Sequence, residues 1–195
     1  MSLLDPNTKE LHCKIVYYGP SLGGKTTNLQ WISEELNPQG PKPMEFGEEN
    51  ERTELFDLYP ISVGKIRGYQ TRFHLYTVPG QLIHETRRKL IIKGIDGAVF
   101  VADSQRERME ENLQSMRELE SNLKKEGYDI ADIPLIMQYN KRDLPNAVPV
   151  SEIRTLLNKY NAPDFEAVAA KGVGVLETFK AISKLVITIL KGGEL

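Results

Sequence analysis

Short apolar runs alternate along the chain with longer stretches in which apolar residues recur every three or four positions. The short runs predict buried β-strands over residues 11–18, 61–67, 69–78, 95–102 and 133–139. The longer spacing predicts three amphipathic helices, of which the first covers residues 25–36. The apolar positions of the second are Met109, Leu113, Met116, Leu119 and Leu123. Those of the third are Leu176, Phe179, Ile182, Val186 and Ile189. This alternation predicts an α/β fold with a mostly parallel central β-sheet and helices on both faces.

Residues 37–60 follow neither spacing. They contain five residues that interrupt regular structure: Pro38, Gly40, Pro41, Pro43 and Gly47. We therefore expect this segment to form a loop without regular elements. A loop of that length in a compact domain is usually functional or mobile.

Composition narrows the class of protein. The 195 residues suit a single domain over residues 1–195, and the formal net charge of −2 gives no reason to expect a nucleic acid partner. The single cysteine, Cys13, excludes an intrachain disulfide and suits a reducing compartment. No signal peptide, lipidation motif or apolar run of about 20 residues is present, so we expect a cytoplasmic protein without a lipid anchor or transmembrane segment.

Residues 19–26 read Gly-Pro-Ser-Leu-Gly-Gly-Lys-Thr and match the phosphate-loop pattern G-x-x-x-x-G-K-[ST] between a predicted strand and a predicted helix. Glycines let several main-chain N–H groups converge on one phosphate, and the helix adds its positive N-terminal end. Lys25 is expected to reach the β- and γ-phosphates, and the Thr26 hydroxyl to bind Mg²⁺. The predicted nucleotide contacts here are Gly19, Ser21, Leu22, Gly23, Gly24, Lys25, Thr26 and Thr27.

A second motif bears on the choice of base. Asn140-Lys141-Arg142-Asp143 follows a predicted strand, where the Asp143 carboxylate can accept hydrogen bonds from guanine N1–H and the N2 amino group. Adenine offers neither donor. The Lys141 stem can lie along the base, and Asn140 can brace neighbouring loops. Taken alone, N-K-x-D is a common polar turn, but its place after a later strand of the same sheet favours guanine recognition.

Ala169 and Ala170 belong to a weaker candidate segment, residues 168–172, whose main chain could contact guanine O6. By spacing alone, a plain loop before a helix explains this segment nearly as well.

Two segments are candidate sensors of the γ-phosphate. Gly80 can offer its N–H to that phosphate and Gln81 can orient the attacking water, within a segment we term switch II, residues 77–93. In switch I, residues 37–60, Thr53 is a candidate second Mg²⁺ ligand and Arg52 a candidate arginine finger. The alternatives are an exposed turn glutamine and a solvated surface arginine, and spacing alone favours the latter for Arg52.

Together these motifs resemble the small Ras-like GTPases and, within them, the bacterial MglA group. The resemblance extends from Lys14 to about Leu190 and is most specific at residues 14–20, 71–81, 97–103 and 140–145. The run Thr77-Val-Pro-Gly-Gln81 is especially characteristic, because most Ras-like proteins begin this motif with aspartate. The resemblance implies a P-loop NTPase G domain that binds GTP and GDP with Mg²⁺ and hydrolyses GTP.

The resemblance also implies a cellular role and partners. The GTP-bound protein would gather at a cell pole and control motility machinery through polarity and motility effectors. Its activator would be an MglB-like dimer of the Roadblock type. The resemblance implies that Arg52 supplies the catalytic finger and that Gln81 positions water.

Two departures from the family pattern modify this expectation. Thr77 replaces the acidic residue that usually holds Mg²⁺ through water, a replacement shared within the MglA group, and Asp57 is a candidate compensating carboxylate. Ser21 stands where the family usually has glycine, so we expect slow intrinsic hydrolysis.

A guanine-nucleotide-binding scaffold with little or no hydrolysis remains the alternative. A P-loop ATPase or kinase would require Asp143 to play no part in base recognition.

Overall fold

A computed structural model describes residues 3–5, 8–38, 44–46, 56–66, 68–78 and 91–192. Within these ranges the strands are β1 Leu3–Asp5, β2 Glu10–Tyr18, β3 Met44–Phe46, β4 Phe56–Ile66, β5 Tyr69–Thr77, β6 Gly97–Asp103, β7 Leu135–Asn140 and β8 Asp164–Glu166. The helices are α1 Lys25–Leu36, α2 Met109–Lys125, α3 Val150–Leu157 and α4 Val175–Gly192, with 3₁₀ turns at Arg106–Arg108, Ile130–Asp132 and Ala169–Lys171.

The strands form one sheet in the order β3-β4-β5-β2-β6-β7-β8. Five of them, β5, β2, β6, β7 and β8, run parallel, while β4 and β3 continue the sheet antiparallel beyond β5. Short β1 pairs antiparallel with the start of β2. The predicted fold class is confirmed.

Two apolar clusters cover the two faces of the sheet. Alternate residues of β2 point to opposite sides, so that Ile15 belongs to one cluster and Val16 to the other. Helices α1 and α4 contribute to the cluster that contains Ile15, whereas α2 and α3 contribute to the cluster that contains Val16. The central strand β6 is buried along its whole length, as expected for a parallel strand that is covered on both faces.

The prediction that residues 37–60 contain no regular element is wrong for two of its parts. Strand β3 lies inside this segment, and β4 begins at Phe56 instead of residue 61. Pairing across the sheet supplies the hydrogen bonds that local spacing does not reveal, with Met44 opposite Leu58. Pro60 lies beyond Leu58, the last β4 residue that pairs with β3 in the described part of the chain, and a proline is tolerated where its nitrogen needs no ladder hydrogen bond.

Other elements escaped the sequence patterns because they are short. Strands β1 and β8 contain three residues each, and α3 contains eight. A period of two or of 3.6 is hard to detect over so few positions.

Candidate nucleotide-binding site

Three neighbouring parallel strands end at one edge of the sheet, where ligands of such sheets bind. Strand β2 leads into the phosphate loop, residues 19–24, while β6 ends at Asp103 and β7 at Asn140. Because β6 pairs with both β2 and β7, the three strand ends are adjacent. The structure thus brings the phosphate loop and the N-K-x-D motif together.

Side chains hold the carbonyl groups of the phosphate loop. Lys25 Nζ donates to Gly19 O at 3.0 Å and to Pro20 O at 2.7 Å. The other donors are Arg108 Nη2 to Ser21 O at 2.7 Å, Asn140 Nδ2 to Gly23 O at 2.8 Å and Asn28 Nδ2 to Gly24 O at 2.9 Å. In a trans peptide the N–H points opposite to the C=O. Holding the carbonyls of Pro20, Ser21 and Gly23 in the protein therefore points the N–H groups of Ser21, Leu22 and Gly24 the other way, where they can meet an anion. Pro20 has no N–H, and the Gly23 N–H donates to Pro20 O.

Two glycines of this loop are required by geometry. Gly19 has φ +144°, and a Cβ there would lie 2.2 Å from Val101 O of the neighbouring strand. Gly24 has φ +97° and precedes α1, and a Cβ there would lie 2.2 Å from Asn140 Nδ2. Any side chain at either position would push the loop away from the strands that support it.

The start of α1 carries the lysine and the threonines of the motif. Lys25 is buried, with its ammonium against the loop carbonyls described above, whereas Thr26 is exposed and Thr27 half-buried. An exposed hydroxyl in the first helical turn, beside a ring of N–H groups, is suited to share a cation with a bound phosphate.

Asn140 connects its own N-K-x-D motif to the phosphate loop and to the Ala169 turn. Its Nδ2 donates to Gly23 O, and its Oδ1 accepts from the Ala169 N–H at 2.9 Å. The side chain is buried, so both bonds are protected from water. These contacts are the bracing that we expected of Asn140.

The two predicted alanines differ in their surroundings. The N–H of Ala169 is already bound by Asn140. Ala170 is exposed in the same 3₁₀ turn, and contact of its N–H with guanine O6 stays a prediction.

Asp143 lies near this turn and forms an ion pair with Lys171, with Nζ to Oδ2 at 2.9 Å. The Lys171 hydrogen bond lowers the pKa of the Asp143 carboxyl, so the group is an ionised acceptor at neutral pH. A carboxylate in this state can accept two hydrogen bonds from guanine. The sequence analysis did not single out Lys171, although it lies within the segment that was considered.

Lys141 contacts a carboxylate that the sequence analysis did not name. Its Nζ lies 2.5 Å from Oδ2 of Asp103, a fully buried residue at the end of β6. The Lys141 main chain has φ +64°, a conformation that is uncommon for lysine. A polar residue that ends an otherwise apolar strand was the available signal for Asp103.

The oxygen donors among the described residues suit Mg²⁺ only together with a nucleotide. Thr26 offers one hydroxyl oxygen, while Thr77 is neutral and buried. Among the residues that the structure describes, no group of three or more His, Cys, Asp or Glu could hold a metal. Leu58 pairs with Tyr76, so the register of β4 on β5 brings the Asp57 main chain to the carboxyl end of β5. Phosphate oxygens would have to supply much of the coordination.

The predicted residues Arg52, Thr53, Gly80 and Gln81 lie outside the described residues. So do most of the residues between positions 79 and 93 that we assigned to switch II. Their roles remain predictions.

Comparison with known proteins agrees with this geometry. The model of the ADP-ribosylation factor family matches residues 2–186. The chain is 55% identical over 194 residues to the mutual gliding-motility protein MglA of Myxococcus xanthus (strain DK1622), covering 99% of this chain and 100% of that protein. Within the described part of the chain, every helix is too short or too polar to cross a membrane.

Proposed function

Since the chain belongs to the ADP-ribosylation factor family of small GTPases, and is therefore a GTP-binding switch protein that hydrolyses GTP, we propose that its hydrolysis is slow without an activating partner. Residues 37–60 and 77–93 of a single G domain serve as its switches. Its cellular role is the control of polarity and motility. The relative from Myxococcus xanthus, named for gliding motility, supports that role.

The observation that supports binding of a guanine nucleotide at this site is the position of Asn140 between the phosphate loop and the Ala169 turn. One buried amide thereby keeps a phosphate cradle and a base-reading loop at a constant separation. Asp143 is held beside that turn by its ion pair with Lys171. Such an arrangement suits a ligand that carries both a phosphate tail and a guanine base.

The catalytic roles are assigned to Gln81, which orients the attacking water, and to Arg52, which stabilises charge on the γ-phosphate. Such an arginine is worth roughly 10³–10⁵ in rate in related enzymes. Thr26 and Thr53 would hold Mg²⁺, which neutralises charge on the phosphates when it is bound.

Two features support slow intrinsic turnover. Ser21 brings a side chain into the loop that Gln81 and Arg52 must approach, and Thr77 provides no carboxylate for the metal. Ser21 also supports a second candidate function, a guanine-nucleotide-binding scaffold with little or no hydrolysis.

The partners follow from the same resemblance. An MglB-like Roadblock-type dimer would accelerate hydrolysis, and polarity and motility effectors would bind the GTP form. The protein would work in the cytoplasm and be gathered at a cell pole by these partners.

Single-turnover GTP hydrolysis, with and without a Roadblock-type dimer, tests the proposal. We expect slow release of phosphate from the protein alone and a large acceleration by the dimer, lost in Arg52→Ala and Gln81→Leu with little change in GTP affinity. A rate equal to buffer in both conditions would favour the scaffold. Partner-stimulated turnover that is unchanged in Arg52→Ala would show that this arginine is a surface residue.

A further inference from the structure

One peptide of the phosphate loop is held in an unusual conformation. Leu22 has φ +58°, in the left-handed region that side chains disfavour. Its side chain is 82% exposed, so packing of the leucine itself does not stabilise this conformation. Contacts made by neighbouring groups must hold the Ser21–Leu22 peptide in place.

Arg108 makes such a contact from outside the phosphate-loop motif. Its Nη2 donates to Ser21 O at 2.7 Å, although the two residues are 87 positions apart in sequence. The guanidinium lines a cavity of about 430 Å³ between the phosphate loop and α2, together with Ser21 and Glu111. A charged donor makes this bond stronger than a neutral one.

Other side chains keep the Arg108 guanidinium in position. Its Nη1 forms an ion pair with Glu111, and its Nε lies 3.8 Å from Oδ2 of buried Asp103. Asp103 also forms an ion pair with Lys141 of the N-K-x-D motif. Asn112 holds the Asp103 main chain, with hydrogen bonds of 2.9 and 2.8 Å to its N–H and C=O.

We propose that Arg108 is a positioning residue for nucleotide binding. It holds the Ser21 carbonyl on the side away from the ligand and so directs the Leu22 N–H toward the β-phosphate. The two groups belong to one planar trans peptide and point in opposite directions. The inference rests on the nucleotide site proposed above. Through Asp103, the same network joins the phosphate loop to Lys141, so two ligand-binding loops share one buried carboxylate.

The test measures dissociation of a fluorescent GDP from the full-length protein. Arg108→Ala should release it about tenfold faster, as expected for the loss of one hydrogen bond from a charged donor. The matched control is Arg106→Ala, in the same 3₁₀ turn, whose exposed side chain pairs with Glu152. That variant should release GDP at the wild-type rate, and equal rates for all three proteins would overturn the proposal.

A second measurement separates positioning of the phosphate loop from general damage. GMP lacks the β-phosphate, so the ratio of GDP affinity to GMP affinity should fall about tenfold in Arg108→Ala. Equal losses for GDP and GMP would overturn the proposal. If the alanine variant does not fold, Arg108→Met, which keeps the length of the side chain and removes every donor, decides by the same ratio, and an unchanged ratio there rejects the assignment. A wild-type protein that binds no GDP would instead refute the proposed function.

Discussion

Polar side chains at the nucleotide edge of the sheet bond mainly to the main chain, whereas four polar side chains on one face of β2 and β5 bond to one another. At the first place, Lys25, Asn28, Arg108 and Asn140 bind carbonyl groups of the phosphate loop. We refer to the second place, defined by Glu10, His12, Arg72 and His74, as the strand-face cluster. The difference separates residues that shape a ligand site from residues that cover a sheet.

The strand-face cluster alternates with the core. Glu10 and His12 are half-buried, while Leu11 between them is fully buried. Arg72 pairs with Glu10 at 2.6 Å, and the two histidines approach within 2.8 Å between Nδ1 of His12 and Nε2 of His74. None of these contacts involves a loop of the nucleotide site. We therefore expect mutations in this cluster to affect stability and leave nucleotide affinity unchanged.

The largest effect should come from Lys25→Ala. This change removes the ammonium that lies against Gly19 and Pro20 and is expected to meet the phosphates. GDP affinity should fall roughly 100- to 1000-fold, the range for truncating one partner of a buried charged pair. Isothermal titration calorimetry measures it, with Lys180→Ala on an exposed site of α4 as the control. A loss below about tenfold would contradict the assigned role.

Asp143→Asn should change the preferred base. Asparagine can donate to the oxygen that xanthine carries in place of the guanine amino group, so preference for GDP over xanthosine diphosphate should shift by about 100-fold or more. Competition between the two nucleotides for the site measures the shift. An unchanged preference would mean that Asp143 serves only its ion pair with Lys171.

Asn140→Ala should act on both binding and stability. It leaves the Gly23 carbonyl and the Ala169 N–H without their partner, which should cost about 2–4 kcal/mol in the free energy of unfolding and lower GDP affinity about 30-fold. The matched control is Asn158→Ala, because Asn158 binds both main-chain groups of Ala162 far from the site. The control should lose stability only. Equal GDP affinities in the two variants would refute the bracing role.

The smallest effect should be a dependence of stability on pH at His74. Burial, followed by the nearby His12 and Arg72, lowers the pKa of His74 below its ordinary value of 6.5, despite the opposing charge of Glu10. As the pH falls below about 6.5, His74 takes up a proton in the unfolded chain but not in the folded protein. The free energy of unfolding therefore decreases as the pH is lowered, until the pH reaches the folded-state pKa of His74.

Urea unfolding at about pH 7 and about pH 5.5 in saturating GDP measures this loss. His74→Gln should lose less stability than the wild type over the same interval, with unchanged GDP affinity near pH 7. A loss equal to that of the wild type would show that other groups cause it.

Long apolar segments made the fold predictable. The strand over residues 11–18 and the helix over residues 25–36 appear with ends displaced by at most one residue. Strand β3 and the first half of β4 were not predicted, because pairing between distant residues such as Met44 and Leu58 stabilises them. Lys171 and Arg108 were missed for a related reason, since their partners lie 28 and 87 positions away.

By itself, the sequence determined the phosphate loop, the N-K-x-D motif and the parallel α/β sheet, because glycine geometry, charge placement and apolar spacing are local properties. Only the tertiary structure decided which side chains support these motifs. Asp103 forms an ion pair with Lys141 and lies near the Arg108 guanidinium. Both contacts arise because three strands end at one edge of the sheet and α2 starts nearby. Such contacts depend on chain segments meeting in space, and no local pattern encodes the distance between them.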